Sequence, residues 1–124
     1  MMLRLATLGR NLTLDLKNKT FPNLKGLDYH FSKAAKKQYL NYQITDYRYI
    51  KRIRRLLQSI LDNGHREGLG HPEFLRSYVV NYHGHHLKAE EWSRRVTRGD
   101  RLVYVVIKAL HLFNVESCRT HYEK

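Results

Sequence analysis

The order of hydrophobic periodicities in this chain sets its fold class before any single residue does. Between Ser32 and Gly64 apolar residues recur at helical spacing, and beyond Leu75 they gather into short β-type runs with no return to a helical pattern. Ser32 is a good helix N-cap, and Ala34, Ala35, Tyr39 and Tyr42 follow it at helical intervals, giving a first helix that ends near Ile44. Thr45 or Asp46 caps a second helix, with Ile50, Ile53, Leu57 and Ile60 as its apolar stripe and Asn63-Gly64 as its stop. Leu27 to Phe31 reads as a short strand ahead of them, and Leu75 to Val80 as another behind. Trp92 to Val96, Leu102 to Ile107, Leu110 to Val115 and Ser117 to Tyr122 then read as four strands of an antiparallel meander. Helices first and strands together, without βαβ alternation, predict an α+β domain in which two N-terminal helices pack on one face of a twisted, mainly antiparallel sheet.

The 124 residues are enough for one domain with a working core and too few for two. Met1 to Gly26 reads apart from the rest, because Leu12, Leu14 and Leu16 alternate with polar residues while Pro22-Asn23 and Gly26 break any continuation. The expected organisation is an appended segment at 1–26 followed by the domain at 27–124. Arg4, Arg10 and Asp15 interrupt every candidate signal-peptide core, and no apolar run approaches the roughly 20 residues that span a bilayer. No membrane contact is expected. A single cysteine, Cys118, rules out an internal disulfide framework or a CxxC site, which fits a reducing cytoplasm.

Charge narrows the partners. Twenty-three Lys and Arg against eleven Asp and Glu leave a net charge of +12, so polyanions are the natural ligands, whether nucleic acid or acidic protein. Lys51, Arg52, Arg54 and Arg55 crowd one and a half turns of the second helix, as a solvated face or as a polyanion-binding ridge, readings that are compatible. A three-residue loop Thr97-Arg98-Gly99, with Gly99 in the left-handed conformation, pairs Val96 with Asp100 and therefore Arg95 with Arg101. Like charges directly opposite cost on the order of 0.2–1 kcal/mol, and an anion such as a phosphate between them explains the pair as well as simple exposure does. On the last strand Ser117, Arg119 and His121 are expected to share one face, with Cys118, Thr120 and Tyr122 on the other. Glu73, in a loop fixed by Gly68, Gly70 and Pro72, is the best-placed carboxylate to work with His121. His83-Gly84-His85-His86 has no cysteine or carboxylate at ligand spacing and reads as a loop, so neither a metal nor another cofactor is expected.

Six fragments carry a family likeness: Phe31-Ser32, Tyr39-Leu40-x-Tyr42-Gln43-x-Thr45-Asp46, Gly68-x-Gly70-x-Pro72-Glu73-x-Leu75, Trp92-Ser93-Arg94-Arg95-Val96-Thr97, Arg101-Leu102-Val103-Tyr104 and Cys118-Arg119-Thr120-His121-Tyr122. In one order from about Leu27 to Tyr122 they closely resemble the YoeB/Txe toxins of the RelE superfamily of bacterial messenger-RNA interferases. The resemblance implies a microbial-ribonuclease-like fold that cuts mRNA in the ribosomal A site without a metal and is silenced by a YefM-type antitoxin, with a toxin homodimer as a further expectation. It also implies Glu73 as general base, His121 as general acid and Arg95 and Arg101 as phosphate-stabilising cations. Arg76 falls where the family carries a lysine beside the scissile phosphate, and Tyr122 matches the terminal tyrosine that packs against substrate. From the residue reading, Arg119 and the ridge cations Lys51 and Arg55 join them as expected substrate contacts. The chain departs from the family in a longer segment from Ser77 to Glu91, in Glu123 and Lys124 beyond Tyr122, and in the extension to Gly26. A non-catalytic basic module that binds a ribosome or an antitoxin is the alternative, and the filled acid, base and arginine positions favour the enzyme.

Overall fold

A computed structural model describes residues 28–121, with side chains for 29–119; the expected appended segment 1–26 and residues Tyr122, Glu123 and Lys124 lie outside the described residues. The elements follow in the order β1 (Asp28–Phe31), α1 (Lys33–Thr45), α2 (Tyr47–Asn63), β2 (Glu73–Tyr82), β3 (His85–Arg95), β4 (Asp100–Ile107), a 3-10 turn (Lys108–Leu110) and β5 (Leu112–His121). The five strands form one sheet in the order β1-β5-β4-β3-β2. Three antiparallel pairings join β2 through β5, and β1 adds in parallel along β5. The expected α+β architecture is the one observed.

Both helices begin where side chains cap them. Ser32 Oγ accepts the Ala35 N–H at 3.0 Å and donates to the Glu116 carbonyl at 3.0 Å, so the cap of α1 also ties it to β5. Asp46 ends one helix and starts the next: its N–H donates to Tyr42 O at 2.8 Å and its carboxylate accepts from Tyr49 N at 3.2 Å. The stripe of α2 is buried as its spacing requires, with Ile50, Ile53, Leu56, Leu57 and Ile60 wholly covered. They pack with Trp92 of β3, Leu102, Tyr104 and Val106 of β4 and Phe113, Val115 and Cys118 of β5 to make the main core on the helix face of the sheet. Each such aliphatic side chain contributes roughly 1.5–3 kcal/mol. A smaller cluster of Val80, Ala89, Val105, Ile107 and Leu112 sits on the other face, with Tyr78, Tyr82, Leu87 and Leu110 against it.

Three local expectations are corrected. The two strands read from Leu110 to Val115 and Ser117 to Tyr122 are one strand, β5, whose pairing with β4 shifts register between Arg101 and Val103 and again between Val103 and Tyr104. The shifts reset the inside-outside alternation mid-strand, which in a sequence imitates a strand end. β3 starts at His85 and not at Trp92; His85 to Glu91 has little β-propensity and is a strand because β2 pairs along its whole length. The long segment 77–91 is therefore the body of a β2–β3 hairpin, turned by His83 (φ 50) and Gly84 (φ 83), both of the sign a two-residue type I′ turn needs. Finally, Gly99 is not among the positive-φ glycines. The Thr97 hydroxyl closes that hairpin instead, accepting the Asp100 N–H at 3.2 Å and bonding its carboxylate at 3.1 Å.

The irregular part of β5 is held by the helices. Gln38 Oε1 accepts the Cys118 N–H at 2.8 Å, and the Tyr49 hydroxyl donates to the Cys118 carbonyl at 2.9 Å. Burial pushes the Cys118 thiol up to about 12 and raises the Tyr49 phenol, which the Asp100 carboxylate raises further. Tyr49→Phe is expected to lower stability by about 1–3 kcal/mol, since it strips a buried carbonyl of its donor. An unchanged urea midpoint would mean that water reaches the bulge.

Candidate active site

Sheet geometry sorts the expected site residues onto two faces. Trp92 and Arg94 point into the helix-side core, so Glu91, Ser93 and Arg95 occupy the second face of β3. Cross-strand register then places Arg101 opposite Arg95, Val103 opposite Ser93, and Glu73 opposite Ser93 on its other side. The Arg95–Arg101 pairing is the one the sequence predicts, with the Val96 N–H donating to Asp100 O at 2.9 Å. Glu73 and Arg76 are three residues apart and would fall on opposite faces of a regular strand. A register shift between Phe74 and Arg76 sets Glu73 against Ser93 and Arg76 against Glu91, bringing both to the face of the arginine pair.

The carboxylates on and near this face differ. Glu73 is exposed, at the first position of β2, and makes no ion pair or hydrogen bond among the described residues. Glu91 is engaged by Arg76, whose Nε donates to Oε1 at 2.6 Å while its guanidinium lies 5.1 Å from the Tyr78 ring. That hydrogen bond raises the Arg76 pKa, yet a pair with Arg76 68% exposed contributes at most about 1 kcal/mol and can open for a competing anion. Glu90 lies opposite Val106, on the helix face. Burial alone would raise its pKa, but the Trp92 indole N–H at 3.1 Å, the Lys108 and Lys88 ammonium groups and the neighbouring His65 imidazole hold it below the usual range. Glu73 is thus the carboxylate of this set left available as a base.

The remaining residues divide. The backbone of His121 pairs with Asp100, and that of Thr120, one step before it, pairs with Arg101. Its side chain, like all of Tyr122, lies outside the described residues. Arg119 does not alternate with Cys118: its guanidinium donates to the Tyr42 hydroxyl at 2.9 Å, pairs with Asp100 at 3.4 Å and lies over the rings of Tyr42 and Tyr49, against the helices where Cys118 is also buried. The bulge in β5 is the cause. Lys51 and Arg55 are exposed on α2, across the sheet from Glu73. Their ridge neighbours are internal ties, Arg52 to the carbonyls of Arg95 and Val96 at 3.0 and 3.2 Å and Arg54 to the Tyr39 hydroxyl at 2.8 Å.

One residue that positions the candidate site escapes a reading of spacing. Arg94 has no exposed surface, and its guanidinium donates to Tyr104 OH at 2.9 Å, Ser59 Oγ at 3.0 Å, and the carbonyls of Leu69 at 3.0 Å, Gly64 at 2.8 Å and Glu67 at 2.7 Å. The carbonyls belong to the loop that runs from α2 to Glu73, so Arg94 fixes the approach to Glu73. Gly70 completes the fit: it has φ +88, its carbonyl accepts the Arg95 N–H at 2.7 Å, and a Cβ there would stand 2.7 Å from Leu56 Cδ2. The alternation of β3 puts Arg94 inward beside Trp92, which is the sequence signal; the acceptors are loop carbonyls that no sequence displays.

Comparison with known proteins places the chain in a family and supports its fold. Residues 31–122 match the family described as YoeB-like toxin of bacterial type II toxin-antitoxin system. Toxin YoeB of Escherichia coli (strain K12) is 36% identical over 92 residues, covering 74% of this chain and 95% of that protein. The YoeB dimer from Staphylococcus aureus superposes with a TM-score of 0.62 at 35% identity, over 78% of this chain and 99% of its own. YoeB in the heterotetrameric YoeB-YefM complex from the same organism gives 0.60 at 35% identity, over 77% and 98%.

Arg94→Met is expected to cost at least about 2 kcal/mol, because it removes five hydrogen bonds in a buried or half-buried setting. Arg94→Lys restores only part of that, since an ammonium has three donors and no fork. Equal unfolding midpoints for the wild type and Arg94→Met would remove the clamp from the account.

Proposed function

Since this chain belongs to the YoeB-like toxins of bacterial type II toxin-antitoxin systems, we propose that it is an endoribonuclease that cleaves messenger RNA in the ribosomal A site and so stops translation in the cytoplasm. The observation that carries this reading is the placement of an available carboxylate, Glu73, on one sheet face with the cation pair Arg95 and Arg101. A reaction in which a ribose 2′-hydroxyl attacks the adjacent phosphate needs a base for that hydroxyl, cations where charge builds on phosphorus, and an acid for the departing 5′-oxygen. Glu73 takes the 2′ proton, Arg95 and Arg101 bind the phosphate oxygens, and His121 protonates the leaving oxygen. The like-charge cost of the arginine pair is then offset by the anion it holds. Arg76 exchanges Glu91 for a substrate phosphate, and Tyr122 packs against the nucleotide. Arg119 serves from behind, bracing the strand that carries His121. Lys51 and Arg55, on the helix layer, supply attraction to ribosomal RNA at a distance from the chemistry.

The same charge governs partners. A toxin of net charge +12 is neutralised by an antitoxin with an acidic segment that folds on binding and covers the arginine face, as a YefM-type partner would. The S. aureus relative is described both as a dimer and in complex with YefM. Leu40, Ile44 and Tyr47, exposed around the α1–α2 corner, offer an apolar surface for a second copy of this chain.

Glu73→Gln and His121→Ala are each expected to slow single-turnover cleavage on programmed ribosomes by about 10²–10⁴-fold with little change in ribosome affinity. Arg55→Ala does the opposite, weakening association modestly, most at low salt, with the rate on bound ribosomes nearly unchanged. Intact message at saturating wild-type protein would leave only a non-catalytic binding module. For neutralisation, an isolated acidic antitoxin peptide is expected to suppress cleavage with an affinity that falls as salt rises; inhibition by the antitoxin's folded half alone contradicts the charge argument.

A further inference from the structure

Ser93 lies in β3 opposite Glu73 and two positions before Arg95. Its Cα partner on one side is Glu73 and on the other Val103, and its same-face neighbours along β3 are Glu91 and Arg95. It is 1% exposed, and among the described residues its Oγ has no hydrogen-bond partner. A buried hydroxyl left in that state is costly, and a threonine-sized or alanine side chain would fill a strand position as well. Directly opposite residues of an antiparallel pair have Cβ atoms about 4.5–5.5 Å apart, within reach for a glutamate folded back along the face. Glu73, for its part, is a carboxylate without a donor.

We infer that the Ser93 hydroxyl is a positioning residue for Glu73, donating a hydrogen bond to its carboxylate when substrate covers the face. The inference rests on the reading of Glu73 as base. The charged groups that share the face are Arg76, Glu91, Arg95 and Arg101. Arg76 is held by Glu91, and Arg95 and Arg101 stand as the phosphate site. Ser93 is the uncharged donor opposite Glu73, so it fixes one carboxylate oxygen and leaves the other lone pairs for the 2′-hydroxyl. It does so without lowering the basicity of Glu73 as strongly as an arginine contact would. Substrate supplies the missing condition, because a nucleotide stacked on the face excludes the water that otherwise solvates Glu73.

The test is a double-mutant cycle read by single-turnover cleavage on programmed ribosomes, with Ser93→Ala and Ser93→Thr each combined with wild-type Glu73 and with Glu73→Gln. Ser93→Ala is expected to lower the cleavage rate about tenfold to hundredfold at unchanged half-saturating ribosome concentration, and Ser93→Thr, which keeps the hydroxyl, to recover most of it. In the Glu73→Gln background, Ser93→Ala should change the rate by less than about twofold, since the group it acts through is gone. A wild-type rate for Ser93→Ala, or an equal fold loss in both backgrounds, overturns the inference. If Glu73→Gln itself cleaves at the wild-type rate, the reading of Glu73 as base fails first and takes the positioning role with it.

Discussion

A guanidinium without exposed surface costs several kcal/mol to desolvate, and nothing in this fold returns that cost through a carboxylate. Arg94 is held by neutral acceptors only, two hydroxyls and three carbonyls, one for each of its five N–H groups. The carbonyls come from the segment just beyond α2, where the helix dipole also places partial negative charge. One side chain of β3 therefore joins helix, sheet and loop. Ser59 ties it to α2, Tyr104 to β4, and Gly64, Glu67 and Leu69 to the loop, while the Tyr104 hydroxyl donates to the His65 carbonyl at 2.8 Å. Burial raises the Tyr104 phenol well away from ionisation and keeps it a donor. Everything from Gly64 to Glu73 inherits its path from this cluster, so the exposed Glu73 carboxylate is placed by a residue with which it makes no hydrogen bond.

The register irregularities matter as much as the regular pairing. A strict period-2 reading finds the Arg95–Arg101 pair correctly, because the β3–β4 hairpin is regular from Glu90 to Arg101. It fails at Arg119, and it gives no reason for Glu73 and Arg76 to share a face, because each lies next to a bulge. Bulges are set by what satisfies the displaced backbone. In β5 those partners are Gln38 and Tyr49, more than sixty residues away in sequence, and Arg119 is then drawn to Tyr42 and Asp100. The helices, their caps at Ser32 and Asp46 and the α+β class were legible because capping and amphipathic periodicity are local. The course of β3 was not, because His85 to Glu91 becomes a strand through its neighbours.

Composition, likewise, overstates how many cations face a polyanion. Arg52, Arg54, Arg94 and Arg119 all bind carbonyls, tyrosine hydroxyls or Asp100 within the fold. In each case a forked, planar donor reaches oxygen atoms that an ammonium could serve only in part, which is a reason for arginine over lysine at positions that hold the fold together. Their charge still adds to the long-range field, since Coulomb attraction at a Debye length of about 8–10 Å does not distinguish a tie from a free side chain. Contact is another matter. Lys51, Arg55, Arg76, Arg95 and Arg98 keep exposed side chains, and they sit on different layers of the molecule. The field of the protein is thus the work of the whole chain, whereas the proposed chemistry draws on the few cations that the β3–β4 register brings to one face.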